Sequence, residues 1–377
     1  MKILFIDNSF WAAKNFRYHL IKELHNNNDL KIVAGNDSDL DFFLSKGFNC
    51  NNLRFSSTSK NPFQDFLYFL KLLRIILNFQ PDYILTFTIK PNLYCSIIAF
   101  ITRIKLIVTI TGFGRLFLND SKINKVLFRL IFKIILLGSN KVVFQNKDDK
   151  QYIENKYHLD KEKVNFYISP GSGVNVDKFI PDKFGNQICD LKRDKKNSEI
   201  KFLFLGRLFK DKGIHELIEA LNLCIKNKFN FHFGFYGDIA NDDDGNEIRK
   251  KLDALTSKSE CVKYYGFCDD IKRVLNSYDV IVLPSYREGL PKSLLEAAAM
   301  QLTLLASDVP GCREVVVDNR NGFLFKPFSS KEIFDAIKKV LLLSQDDLKN
   351  FGEHSRLIAK KEFDQSNVLN LYNNLLN

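Results

Sequence analysis

A repeated alternation constrains this chain more than any other feature. Short apolar, β-rich runs are separated by longer stretches with helical spacing, and the series runs twice. In the first half, strands are predicted at Lys2–Asp7, Lys31–Gly35, Tyr83–Thr88, Lys105–Thr111, Lys141–Gln145 and Val164–Ile168. In the second half they are predicted at Lys201–Gly206, Phe231–Gly237, Cys261–Gly266, Asp279–Pro284, Leu302–Ser307 and Gly322–Phe325. Helical patterns lie between most of them, among them Phe63–Phe79, Ile123–Leu137, His215–Ile225, Ile271–Asn276, Pro291–Met300 and Ser330–Leu343. Such alternation implies parallel sheets covered on both faces. Two consecutive blocks imply an α/β protein of two doubly wound, Rossmann-like domains.

The chain's 377 residues suffice for two cores of ordinary size. The polar stretch Asp182–Glu199, containing DLKRDKKNSE, interrupts the pattern and reads as a linker. The expected division is a first domain at 1–180, a linker at 181–199 and a second domain at 200–360. A final helical segment, 361–377, is expected to pack back on the first domain.

Composition narrows the function classes. Hydrophobic content of 45% with 26% charged residues suits a soluble globular chain. The seven Cys form no CxxC pair and no zinc-type cluster with the six His, so reduced thiols in the cytoplasm are expected. The opening MKILFID reads as a strand rather than a signal peptide, and the longest apolar runs are too short or too charged to span a bilayer. The net charge of +11 is unevenly placed. Before residue 181 there are 25 Lys and Arg against 15 Asp and Glu; after it there are 30 against 29. That asymmetry predicts an anionic partner for the first half. No recognised nucleic-acid motif accompanies it, so nucleic acid is not expected.

Two loops carry chemistry. Gly206-Arg207-Leu208-Phe209-Lys210-Asp211-Lys212-Gly213 follows the first strand of the second block. Ligands of open α/β sheets bind beyond strand carboxyl ends, and a departing diphosphate needs fixed positive charge there. Arg207 offers a bidentate grip and Lys212 a compact charge; a solvated basic turn is the plainer alternative. Glu288-Gly289-Leu290-Pro291-Lys292-Ser293-Leu294-Leu295-Glu296 follows the strand DVIVLPS. Gly289 permits close backbone approach, and Pro291 suits a helix start, whose dipole favours anions. Glu288 and Glu296 could accept hydrogen bonds from sugar hydroxyls, or be a capping acid and a surface Glu.

Together the two loops, in this order, resemble glycosyltransferase family 4, whose pattern pairs GRLxxxKG with Glu-x7-Glu. YGFCDDI at 265–271 and SPGSGVNVDKF at 169–179 extend the resemblance over nearly the whole chain. It implies a GT-B fold, two doubly wound domains facing a central cleft, and a retaining, metal-independent hexosyltransferase using a UDP-sugar as substrate, with no cofactor. It implies that Arg207 and Lys212 hold the diphosphate, Glu288 contacts the donor sugar and Glu296 binds the ribose. Gly289, Leu290 and Ser293 would line the pocket, and Phe267 would meet the base.

The first domain departs from the commonest family pattern. In place of a glycine-rich first loop stands Asn8-Ser9-Phe10-Trp11-Ala12-Ala13-Lys14-Asn15-Phe16-Arg17, and Thr111 of TITGFGRLF stands where many members have His. The WxxxNFR and TGFG segments resemble the subgroup acting on undecaprenyl-diphosphate-linked sugars in O-antigen, capsule or glycan assembly. The acceptor candidates are therefore Trp11, Asn15, Arg17, Thr111 and Gly112. The subgroup makes an N-acetylhexosamine, GalNAc for instance, the expected donor sugar. The basic stripe Lys125, Arg129, Lys133 on the apolar helix Ile123–Leu137 suits an anionic membrane surface, so the chain is expected on the inner face of the plasma membrane. A solvated face of an ordinary packed helix is the alternative. The acidic runs Asp37-Ser38-Asp39 and Asp242-Asp243-Asp244 read as solvated turns, and no metal is expected. Two other functions share these features: a nucleotide-sugar 2-epimerase on the same architecture, and a non-catalytic glycolipid-binding scaffold.

Overall fold

The computed structural model describes residues 1–35, 39–53, 62–114, 117, 121–157, 164–182 and 199–377. The chain divides into two compact units. The first is Met1–Ser172 with Gln365–Asn377, and the second is Gly173–Asp364.

The first unit is built on seven strands: β1 Lys2–Ser9, β2 Asp29–Gly35, β3 Asn49–Asn52, β4 Tyr83–Phe87, β5 Lys105–Ile110, β6 Lys141–Phe144 and β7 Asn165–Ile168. Their order is β3-β2-β1-β4-β5-β6-β7, and every pairing is parallel. β1 pairs with β4 from Ile3 opposite Tyr83 to Ile6 opposite Thr86. Alternate residues of these strands enter two cores. Leu4, Ile6 and Ile84 pack with helices Pro62–Phe79, Ile89–Thr102 and Lys122–Gly138. Ile3, Phe5 and Leu85 pack with helices Phe10–Asn27 and Gln365–Leu376 on the other face. The period of two in a strand makes this division.

The second unit has six strands: β8 Ile200–Leu205, β9 Phe231–Tyr236, β10 Val262–Tyr264, β11 Val280–Leu283, β12 Thr303–Ser307 and β13 Gly322–Phe325. Their order is β10-β9-β8-β11-β12-β13, again all parallel. The continuous apolar run IKFLFL of β8 is what a strand buried on both faces requires. Both units are thus doubly wound and Rossmann-like.

Several boundaries differ from those read in the sequence. Residues 173–180, expected in the first domain, belong to the second unit. Val176 and Phe179 enter its core, Val174 N–H donates to Phe363 O at 2.8 Å, and Arg356 donates to Phe179 O at 2.7 Å, to Val176 O and to Ala299 O. Burial of three apolar side chains decides that assignment over chain proximity. Residues 361–364 also stay with the second unit, and only from Gln365 does the last helix join the first. There Tyr372 is hydrogen-bonded to Thr109 at 2.6 Å, and Lys141 Nζ donates to Leu375 O. Of the expected linker, 183–198 lie outside the described residues.

Three elements had no clear sequence signal. β3 is polar, NCNN, and exists because its backbone completes the edge beside β2. Helix Phe10–Asn27 occupies what reads as a first loop; Ser9 caps it, accepting from Ala12 N–H at 3.1 Å. Helix Gln345–Glu362 begins with a reciprocal capping box between Ser344 and Asp347. The acidic run at 242–244 is likewise no free turn. Asp242 caps helix Asp243–Thr256 by accepting from Gly245 N–H at 2.8 Å. Asp37 and Ser38 lie outside the described residues, and Asp39 pairs with Lys14 at 2.5 Å.

Candidate active site

In the second unit the sheet order reverses between β8 and β11, the position at which doubly wound sheets take ligands. The loop after β8 carries Arg207 and Lys212; the loop after β11 carries Glu288, Gly289 and Leu290. Gly213 lets the two loops meet. Its φ is +69°, and a Cβ there would fall 2.1 Å from Pro284 O, so no other residue fits without displacement. Tyr286 ties the loops further: its N–H donates to Asp211 O at 2.9 Å and its hydroxyl to the Glu216 carboxylate at 2.8 and 2.9 Å. Burial, then the Glu216 carboxylate, pushes the Tyr286 phenol well above its usual range, so this hydroxyl stays a donor.

At the meeting point Lys212 Nζ donates to Glu288 Oε1, and Ser285 Oγ donates to the same oxygen at 2.7 Å. Both charged side chains are only partly exposed. The pair keeps each ion compensated within the loops, and a ligand phosphate or hydroxyl would compete for bonds already formed there. Arg207 differs. It is exposed, and its guanidinium lies over the Phe209 ring, 4.6 Å from the centroid.

Helix Lys292–Ala299 follows, with Pro291 at its cap and no capping side chain on its first turn. Ser293 is half-buried beside that start, and Leu290 is buried under it. Glu296 is buried and pairs with Lys292 one turn back at 3.3 Å. Burial raises its pKa, and Lys292 and then Lys178 oppose the shift. Phe267 is exposed just beyond β10, next to Tyr265, which stacks on Tyr236 at 4.6 Å. Gly266, with φ +71°, precedes Phe267, and the observed strand is shorter than the one expected over Cys261–Gly266.

Gly311 is a further part of this site. It has φ +81°, and a Cβ would meet Gly289 O at 2.5 Å and Glu288 O at 3.0 Å. The turn DVPG therefore backs the glutamate loop directly. Gly311→Ala is expected to push that loop aside and lower turnover at least about tenfold, because misplacement by ~1 Å of a reacting group costs more than that. Wild-type kcat in that variant, measured with the donor saturating, would show that the loop has slack.

In the first unit the acceptor candidates separate. Trp11 is exposed on helix Phe10–Asn27, and Asn15 one turn later donates to Trp11 O at 2.9 Å. Thr111 and Gly112 are half-buried just past β5, with Gly112 at φ +111°. Arg17 departs from expectation. It is buried, donates to Asp7 at 2.8 Å and lies 4.3 Å from the centroid of the Phe87 ring. Its charge is compensated inside the unit, where it braces the end of β1. The helical period accounts for its burial: in a helix starting at Phe10 it shares a face with Phe10 and Ala13.

Sequence reasoning did not single out Ser285, Tyr286, Glu216 or Gly311. Ser285 and Tyr286 lie three and two residues before Glu288, a position that could have drawn attention. Glu216 lies only three residues beyond Gly213 but 70 residues before Tyr286, and Gly311 lies beyond the glutamate loop with no local signal. Among the described residues no group of three His, Cys, Asp or Glu is placed to hold a metal ion.

The chain is similar to known proteins over most of its length. The family model described as "Glycosyl transferases group 1" matches residues 190–357, and "Glycosyl transferase 4-like" matches residues 2–146. The N,N'-diacetylbacillosaminyl-diphospho-undecaprenol alpha-1,3-N-acetylgalactosaminyltransferase of Campylobacter jejuni is 26% identical over 354 residues, spanning 92% of this chain and 90% of that protein. The capsular polysaccharide biosynthesis glycosyltransferase CapM of Staphylococcus aureus is 25% identical over 305 residues, spanning 80% and 78%. Among solved structures, Anabaena HepE in complex with UDP and glucose superposes with a TM-score of 0.79 at 19% identity, covering 100% of this chain and 99% of that one. Matched in order over both halves, and sharing the two-unit fold of solved glycosyltransferases, the chain belongs to the group 1 and 4-like glycosyltransferases of the GT-B fold.

Proposed function

We propose that this glycosyltransferase moves an N-acetylhexosamine, with N-acetylgalactosamine as first candidate, from a UDP-sugar to an undecaprenyl-diphosphate-linked saccharide, with retention of anomeric configuration. The observation that carries the reading is the meeting of Lys212, Ser285 and Glu288 at the reversal point of the second sheet, with Arg207 exposed on the same loop as Lys212. The C. jejuni relative, aligned over nine-tenths of its length, supports the lipid-linked acceptor and the GalNAc donor.

Departure of UDP builds negative charge on the β-phosphate. Arg207, Lys212 and the start of helix Lys292–Ala299 stand beside the loop where that charge would form, and preorganised charge of this kind is often the largest catalytic contribution. Glu288, exchanging its bonds from Lys212 and Ser285 for sugar hydroxyls, would orient the donor. Glu296 would accept from the ribose. Front-face attack lets the leaving phosphate take the acceptor proton, so the scheme needs no enzyme base. With two protein cations facing the diphosphate, no metal is needed, and no nucleic acid takes part.

No helix among the described residues is long and apolar enough to cross a membrane. Helix Lys122–Gly138 nevertheless has two apolar faces. Phe128, Phe132, Ile135 and Leu136 are buried in the core, while Ile123, Val126, Leu127 and Leu130 are exposed beside Lys125, Arg129 and Lys133. A face both apolar and basic suits peripheral attachment to the anionic inner leaflet of the plasma membrane, from the cytoplasmic side.

The test is a panel of nucleotide sugars against synthetic undecaprenyl-diphosphate saccharides, with and without EDTA. Transfer with retained configuration, undiminished by EDTA, is expected. Restoration by Mg²⁺ or Mn²⁺ after loss in EDTA would overturn metal independence. Isomerised free nucleotide sugar without acceptor would instead indicate the epimerase.

A further inference from the structure

The carboxyl edge of the first sheet holds a polar crossing outside the acceptor candidates above. This sheet reverses its order between β1 and β4, as the second does between β8 and β11. Two residues beyond the last paired positions, Ile6 and Thr86, come Asn8 and Thr88. Thr88 Oγ1 donates to Asn8 Oδ1 at 2.7 Å across the reversal, and both residues are half-buried. In the second unit the equivalent place is bridged by Lys212, Ser285 and Glu288. Each unit therefore places a side-chain hydrogen bond where a doubly wound sheet takes its ligand.

Thr88 is held there against its backbone preference. Its φ of 72° and ψ of 158° lie in a region that essentially glycine alone adopts without strain. It precedes helix Ile89–Thr102, where a Thr side chain ordinarily caps the first turn, yet its side chain makes no capping bond and reaches Asn8 instead. Glycine would satisfy this backbone better, so the fold alone gives no reason for a hydroxyl at this position. Asn8 is braced from below: its N–H donates to Asp7 Oδ1 at 2.7 Å, and the buried Asp7 is held by Arg17.

We propose that Asn8 and Thr88 recognise hydroxyl groups of the acceptor saccharide and set acceptor specificity. A carboxamide N–H pair beside a hydroxyl oxygen matches the donor and acceptor pattern of neighbouring sugar hydroxyls. The inference rests on the reading that the first unit takes a lipid-linked saccharide.

The experiment compares Asn8→Ala, Thr88→Val, Thr88→Ser and Thr88→Gly in the full chain, measuring kcat and both KM values with UDP-N-acetylgalactosamine and an undecaprenyl-diphosphate saccharide, together with melting temperature. Asn8→Ala and Thr88→Val should lose about tenfold in kcat/KM for the acceptor with donor KM changed by less than about twofold, the signature of one lost recognition bond. Thr88→Ser should restore wild-type kinetics. Thr88→Gly, relieved of strain, should melt no lower than wild type yet share the acceptor defect, which a purely structural role does not produce. Wild-type acceptor kinetics in both Thr88→Val and Thr88→Gly would overturn the proposal, as would equal losses for donor and acceptor. In that event an active wild type leaves the proposed function standing, whereas a wild type that accepts no lipid-linked saccharide overturns both.

Discussion

Replacing Arg207 or Lys212 by Ala is expected to lower turnover about 10²–10³-fold while leaving the fold intact, the usual cost of deleting one preorganised group at developing charge. The two variants should differ in kind. Arg207 is exposed and rests on Phe209, so its loss removes charge and little packing. Lys212 is partly buried and bonded to Glu288, and its removal leaves that carboxylate with the Ser285 hydroxyl as its remaining bond within the site. A partly buried ion that loses its partner is costly, so Lys212→Ala should also melt somewhat lower than Arg207→Ala. Because Lys212 and Glu288 touch, the double variant Lys212→Ala, Glu288→Gln should lose less than the product of the single losses. Steady-state kinetics with donor saturating, beside thermal melts, would separate these effects. Wild-type turnover in both single variants would sink the assignment of the diphosphate to this loop.

The second large effect is expected at the membrane. Changing Lys125, Arg129 and Lys133 together to Glu should weaken binding to phosphatidylglycerol vesicles by about two orders of magnitude or more, since each basic residue near an anionic surface contributes ~1 kcal/mol and reversal adds repulsion. The three residues are exposed, and the core face of their helix is made by Phe128, Phe132, Ile135 and Leu136, so the substitutions leave the packing alone. UDP-sugar affinity should barely change, because the residues proposed to hold the donor belong to the other unit. Salt should release the wild type, exposed charge being screened over roughly 10 Å at 0.1 M. Co-sedimentation against neutral vesicles is the measurement. Equal binding by wild type and triple variant would show that the exposed apolar face serves another partner.

Much of the donor loop geometry was legible because it is local. GRLFKDKG and EGLPKSLLE each follow a strand whose apolar run is unmistakable, and a parallel sheet brings the ends of neighbouring strands together. Which strands are neighbours is not local. That β8 lies beside β11, and so Lys212 beside Glu288, depends on crossover connections that composition does not reveal. The acceptor side was less legible for a related reason. The segment after β1 reads as a loop in the sequence, and the helix that begins at Phe10 is what buries Arg17.

The sequence by itself determined the period of most elements, the two α/β blocks and the residue types able to hold a diphosphate, because hydrophobic spacing and loop chemistry act over a few residues. Only the tertiary structure decided what those residues touch. It turned Arg17 inward to Asp7, paired Lys212 with Glu288, set Gly311 behind the glutamate loop and joined Thr88 to Asn8. It also gave residues 173–180 to the second unit and the last helix to the first. In each case the partners lie many residues apart or turn on helix phase, and burial and close packing, which local propensity does not encode, selected among the contacts available.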